Sequence, residues 1–318
     1  MASGAIELRQ RDISILAGLF ESRVMTAAHI AAMYFNGSGE AAKKRLQKMK
    51  GAGLVGEKRP RVNERALLFL TTKGFKALTN AGAVSSEFLS PSSFLKRMPV
   101  GQYTLQHELE VQDVKSAFHV AASRHTNITI EEFKTWPLLY EFTACRAADG
   151  KEVTVKPDGF IRVHEKLSNG QMAEHSFFLE VDRSSEMQDY LVNRASCYVN
   201  YYRSGGFAVW NGATPAEAKL YNFRVLVTFR NEERRNNTAA RLLQHNPPIL
   251  TQTYLTTIDE ALSNPFGPIW MCPVDYRKTT AGTVFDPYRV EQGWMYRRQS
   301  VRERLVADRV TKRRLLED

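Results

Sequence analysis

Three carboxylates offer the clearest chemistry in this chain. Asp158 follows Pro157, and Glu180 and Asp182 stand one residue apart in Glu180-Val181-Asp182. Positions i and i+2 of a strand share a face, so Glu180 and Asp182 can converge with Asp158 on one site. Three carboxylates with open coordination positions suit Mg²⁺ or Mn²⁺, which prefer oxygen ligands. Such an ion can activate water and stabilise displacement at a phosphodiester. Taken alone, Pro157-Asp158-Gly159 reads as a hairpin turn, so the elements around these residues carry the reading. Tyr198, Tyr201 and Tyr202 offer a second chemistry, a tyrosyl hydroxyl attacking phosphate. Their spacing also fits an aromatic helix face packed on a sheet. No Gly-x-x-x-x-Gly-Lys-Ser/Thr, no serine nucleophile elbow and no His-x-His pair with apolar flanks occurs.

The elements that position these residues follow from periodicity. A helix is expected over TLQHELEVQDVKSAFHVAASR, with Val111, Val114, Phe118 and Ala121 as its apolar stripe. His107 and Glu110 extend that stripe toward the N-terminus. Strands are expected at Asn127–Phe133, Thr154–Val163 and Ser176–Val181, then a helix near 186–203, then a strand over Phe223–Phe229. The order α, β, β, β, α, β over 105–230 gives a mixed sheet, since antiparallel strands are followed by a helical crossover. Asp158 falls at the start of the middle strand, and Glu180 and Asp182 at the end of the next.

The first 81 residues are of another kind. Ile13, Ile15, Leu16, Leu19 and Phe20 mark a helix within Ile6–Glu21, and Thr26 is a plausible N-cap for a second over AAHIAAMYF. Asn36-Gly37-Ser38-Gly39 is a turn, and GEAAKKRLQKMK a third helix ended by Gly51 and Gly53. Its stripe of Ala42, Leu46 and Met49 packs inward and leaves Lys43, Lys44, Gln47, Lys48 and Lys50 outward. Two strands, LVGEKR and ALLFLTT, flank a polar tip, and Thr72-Lys73-Gly74-Phe75 leads into a short helix. This is the order of a winged helix-turn-helix. The third helix would read the major groove of double-stranded DNA, while Lys58, Arg59, Arg61 and Arg65 on the wing reach phosphates. A lysine run can also be no more than a solvated helix face.

On these residues the chain resembles two families. Pro157-Asp158, Glu180-x-Asp182 and the element order resemble the PD-(D/E)xK restriction-endonuclease-like superfamily. With the winged helix added, the chain looks like the replication-relaxation family of mobile elements. That family is related to plasmid mobilisation relaxases that act at plasmid origins in conjugative transfer or replication. The resemblance spans about residues 10–245. It implies a catalytic set of Asp158, Glu180, Asp182 and His107, with Asp158, Glu180 and Asp182 as metal ligands; His107 matches a histidine early in the helix before the sheet. One departure is plain: the superfamily's lysine would stand two residues after the Glu, and Asp182 stands there. Lys156, Arg183 or Arg194 can substitute, and Lys156 is the first candidate. Two readings stay open: a metal-dependent nicking enzyme, or a replication or transcription factor with a degenerate nuclease fold.

Bulk properties agree with a nucleic-acid partner. The net charge is +10. Residues 1–81 carry 14 Lys+Arg against 6 Asp+Glu, and residues 294–318 carry 8 against 4, so the middle is slightly acidic. Basic ends around a near-neutral core suggest two DNA-contacting parts. Cys145, Cys197 and Cys272 are too few and too scattered for a disulfide framework or a zinc knuckle. No signal-peptide core and no apolar run long enough for a membrane span occur, so a cytoplasmic protein with no membrane contact is expected. The expected fold is α/β (α+β): a winged helix at 1–81, a linker at 82–104, a PD-(D/E)xK-like domain with C-terminal decoration at 105–293, and a basic amphipathic helical tail at 294–318. Relaxosome or replication proteins and a second copy of the chain are expected further partners.

Overall fold

The structure is a computed structural model, describing residues 6–59, 64–84, 94–96, 98–135, 141–145, 150–183, 187–277, 285–290, 293–298 and 309–316. No helix among these is long and apolar enough to cross a membrane.

The N-terminal unit begins with α1 (Gln10–Ser22), α2 (Ala27–Tyr34) and α3 (Gly39–Gly51). Thr26 caps α2 by accepting from the backbone N–H of His29, and Ser38 caps α3 by accepting from Ala41, each satisfying an otherwise orphaned donor. An antiparallel hairpin follows, β1 (Val55–Lys58) on β2 (Leu67–Leu70), then α4 (Thr72–Asn80). Gly74 is needed there, because a Cβ would lie 2.1 Å from the Leu54 carbonyl oxygen. Leu16, Leu19, Ile30, Leu46, Met49, Leu68 and Phe75 form the core of this unit. Phe94 belongs to the same core and stacks on Phe75 with ring centroids 4.4 Å apart. Part of the stretch expected as linker is therefore anchored in the N-terminal unit.

The second unit is built on a five-stranded mixed sheet flanked by helices. Helix α5 (Gln102–Ala122) leads into β3 (Ile128–Thr135). A small hairpin, β4 (Phe142–Cys145) with β5 (Glu152–Val155), precedes β6 (Gly159–Lys166) and β7 (Met172–Asp182). Next come α6 (Gln188–Arg203), a short α7 (Gly206–Trp210), β8 (Arg224–Phe229), α8 (Glu232–Gln244), β9 (Thr253–Thr257) and α9 (Ile258–Ser263). The sheet order is β3-β6-β7-β8-β9. Pairing is antiparallel from β3 to β7 and parallel from β7 to β9. Alternation along β7 sends Phe177, Leu179 and Val181 to the α5 side and Phe178 to the α6 side.

Three sequence expectations are corrected. The strand expected over Thr154–Val163 is two strands, broken at Lys156-Pro157-Asp158. Proline has no N–H for a ladder and restricts the residue before it. Residues 245–293 are more than decoration, since β9 is the fifth strand of the central sheet. The tail expected as a helix is extended where it is described. There β10 (Tyr276–Arg277) pairs with β13 (Arg309–Val310), and β11 (Phe285–Val290) with β12 (Gly293–Arg298). Leu315 and Leu316 then bury themselves in the α5-side core. Burying two leucines and pairing backbone against β10 replaces the amphipathic face a helix would have offered.

Candidate functional site

The site forms where the C-terminal end of β7 meets the turn before β6. Three contacts fix Asp158. Its backbone N–H donates to the Leu179 carbonyl at 3.0 Å, its Oδ2 accepts from the Val181 N–H at 2.8 Å, and its Oδ1 lies 2.8 Å from His107 Nε2. His107 comes from the first half of α5. Burial works against its imidazolium, but the hydrogen bond and charge of Asp158, with Glu108 and Glu180, outweigh it and hold its pKa above the ordinary value. His107, expected near the carboxylates, therefore contacts Asp158 directly.

Glu180 points to the other face, under α6, and is 8 % exposed. Its Oε1 accepts from Arg194 Nε at 2.7 Å and from the Tyr198 hydroxyl. Burial pushes its pKa up to about 7, Asp158 adds to the rise, and Arg194 and Tyr198 oppose it. Tyr198 is itself raised well above its ordinary value, by burial first and then by Glu180. Asp182 shares the face of Glu180, as alternation requires, and meets a fork from α8: Arg234 Nη2 donates to Oδ1 at 2.9 Å and Nε to Oδ2. Arg234 has no signal in the sequence, since nothing in the spacing ties position 234 to 182 before β8 is laid parallel to β7.

Lys156 is the first candidate for the missing lysine. Its ammonium pairs with Glu141 at 3.1 Å. Its carbonyl oxygen accepts from Arg194 Nη2, and the same guanidinium is held by Glu180. Arg194 occupies the cationic place beside Glu180, and Arg183 lies 3.2 Å from Glu110. The tyrosines take the packing role: Tyr198 and Tyr201 are buried in the α6-side core, and Tyr202 donates to Asn222.

Mg²⁺ and Mn²⁺ take oxygen ligands, so an ion shared by these residues needs carboxylate oxygens left open toward it. Here the guanidiniums of Arg194 and Arg234 hold Glu180 and Asp182, while Asp158 is engaged by His107 and a backbone N–H. Among the described residues no group of three or more His, Cys, Asp or Glu is arranged to hold an ion. The residues as placed do not fit a shared divalent ion, and the expected convergence of Asp158, Glu180 and Asp182 on one metal is not formed. Alternation delivers the carboxylates, and the helices above set an arginine on each.

The N-terminal candidates divide in a similar way. Lys43, Lys44, Gln47 and Lys48 are exposed on α3. Arg45, within the same basic run, turns inward, its Nε donating to Asp12 at 2.6 Å. Burial opposes the Asp12 carboxylate, but Arg45 and the Arg9 N–H outweigh it and lower the pKa. Lys50 is half-buried and pairs with Glu57. Lys58 and Arg59 are exposed at the end of β1. Arg65 is exposed and lies 3.7 Å from Asp113 of α5. Arg61 lies outside the described residues.

No curated protein matches the chain. Among solved structures, restriction endonuclease FokI is similar at 12% identity, over 81% of this chain and 45% of that one, with a TM-score of 0.28. The chain thus spans less than half of that structure, and so loose a likeness carries no argument. The sequence model for replication-relaxation proteins matches residues 16–216, which takes in the N-terminal helices, α5, the turn at Asp158, and β7 with α6. Over that span of helices, hairpin and acidic strand, the chain belongs to the replication-relaxation family.

Proposed function

We propose that this protein binds double-stranded DNA in replication or relaxation at an origin of a mobile element. In this reading α3 lies in the major groove, and the mixed sheet is a nuclease-like platform that does not cut. The observation that carries it is the outward face of α3. Lys43, Lys44, Gln47 and Lys48 stand clear of the core on a helix whose other face is fixed by Ala42, Leu46 and Met49. A helix of that diameter fits a groove about 12 Å wide, and its lysines neutralise phosphates. The arginines on Glu180 and Asp182 support the non-cutting half: they neutralise the carboxylates that a metal would otherwise use.

A second reading, a nicking enzyme, is favoured by one observation. His107 and Asp158 form a fixed pair next to a buried Glu180 whose pKa is pushed up to about 7, the kind of perturbation that clusters at catalytic sites. The two readings part on one experiment. Anisotropy titration of origin duplex measures binding, and the same protein is incubated with supercoiled origin DNA and Mg²⁺ or Mn²⁺. The first reading expects salt-dependent binding and no nicked circles. Nicking that Glu180→Ala abolishes would establish the second.

A further inference from the structure

Tyr190, which is bonded to the Arg194 that Glu180 holds, and Met187, three residues before it, belong to neither core. Tyr190 is 46 % exposed, and Met187, just before α6, is 79 % exposed. Both lie in the first turn, where the Tyr190 N–H donates to the Met187 carbonyl at 3.0 Å. Further along the same helix Tyr198 and Tyr201 are buried, so the outward ring at 190 is not the run of the helix's aromatic face.

The ring is held in place from below. The Arg194 guanidinium carbon lies 5.9 Å from its centroid, and Arg194 Nη1 donates to the Tyr190 hydroxyl at 2.8 Å. The same guanidinium is fixed by Glu180 and by the Lys156 carbonyl. A half-exposed aromatic face is thus oriented by a cation that is itself locked to the acidic cluster. Two more cations lie close by: Lys156, with its half-exposed ammonium beside Glu141, and Arg241, which pairs with Asp189, the residue before Tyr190.

We propose that Tyr190, with Met187, is a stacking platform for an unpaired nucleobase, and that Lys156 and Arg241 meet the flanking phosphates. The ligand class is single-stranded or locally melted DNA. The inference rests on the DNA-binding reading above and extends it from duplex to opened strand. In a duplex both faces of each base are covered by neighbours, so a protein ring can stack only on a base that has left its pair. Every base offers a π-face, so such a platform is tolerant of sequence, and a guanidinium beneath the ring adds cation–π attraction.

The test uses the full chain and three probes: a paired duplex, the same duplex with a central mismatched bubble, and an oligothymidylate carrying one 2-aminopurine. Wild type is expected to bind bubble and single strand more tightly than paired duplex, and to quench the 2-aminopurine. Tyr190→Ala should weaken binding about tenfold on the opened strands and change it by less than about twofold on duplex, the size expected for removal of one base stack. Tyr190→Phe should keep both affinity and quenching, and Met187→Ala should give an intermediate loss on a residue with no packing role. Equal losses on duplex and single strand, or quenching untouched by Tyr190→Ala, would overturn the platform. If wild type binds duplex but does not prefer opened DNA, this inference fails and the duplex reading stands; if it binds no DNA at all, both fail.

Discussion

At the scale of single residues the site is governed by desolvation and by which cation meets each carboxylate. Glu180 is buried with its folded pKa raised to about 7 from an ordinary 4.5. A carboxyl with a raised folded pKa binds more protons folded than unfolded, so its contribution to stability is present below the unfolded value and lost as pH climbs through about 7. Glu180→Gln mimics the protonated form. It should be near neutral at pH about 5 and gain on wild type at pH about 8, read by urea unfolding at the two pH values. Parallel losses at both would contradict the assignment. Arg234→Ala should be far more damaging, because it takes the guanidinium fork from the buried Asp182. A loss of about 3–5 kcal/mol is the usual cost of breaking a buried pair, and thermal unfolding checks it.

At the scale of elements, α3 and β7 make different use of alternation and periodicity. In α3 a 3.6-residue period puts Ala42, Leu46 and Met49 inside and the lysines outside. Lys43→Ala, Lys44→Ala and Lys48→Ala combined should weaken duplex binding and lower the slope of log K against log salt by about one for each phosphate no longer neutralised. An unchanged slope in anisotropy titrations would remove α3 from the interface. In β7 the two-residue period sends Glu180 and Asp182 to the side of α6 and α8, and Val181 to the side of α5. The element thus gives each carboxylate a different helix as its neighbour, and each helix answers with an arginine.

At the scale of the whole molecule, the N-terminal unit is fastened to the sheet through α5 by polar contacts with little water access. Ser22 donates to Gln112 at 3.0 Å, His29 lies 2.7 Å from Asp113, and Arg23 pairs with Glu108. Glu21 accepts from Lys115 and from the Thr135 N–H, each at 2.8 Å. Gln112, Ser22, His29 and Lys115 are all buried. Buried polar groups that pair across an interface favour one geometry, since a slip would break those bonds where water cannot replace them. The two units should therefore unfold together. Every tryptophan lies beyond residue 81, so tryptophan fluorescence reports the second unit alone, while far-ultraviolet circular dichroism also reports α1 to α4. The two transitions are expected to coincide, and Lys115→Ala should shift both equally; separate midpoints would show independent units.

Much of this was legible along the chain. Helical and strand periods placed α1 to α4, α5, β3, β7, α6 and β8 near their observed bounds, because each element buries one face and the sequence must show that face at 3.6 or 2 residues. The place of His107 early in α5 was legible because the helix matched a family pattern, though its contact with Asp158 was not, and the shared face of Glu180 and Asp182 was legible because strand alternation is local. The fifth strand, the anchoring of Phe94, the extended C-terminal segment and Arg234 on Asp182 were not, and Arg194 was legible only as one of three candidate cations. Arg234 lies 52 residues from Asp182, and Arg194 14 from Glu180, in pairings that exist only once α6 and α8 cross one face of the sheet. Local period dictates which way a side chain turns; what waits for it there is decided by the crossing of elements distant in sequence, because the charge that sets a carboxylate's chemistry comes from its neighbours in space.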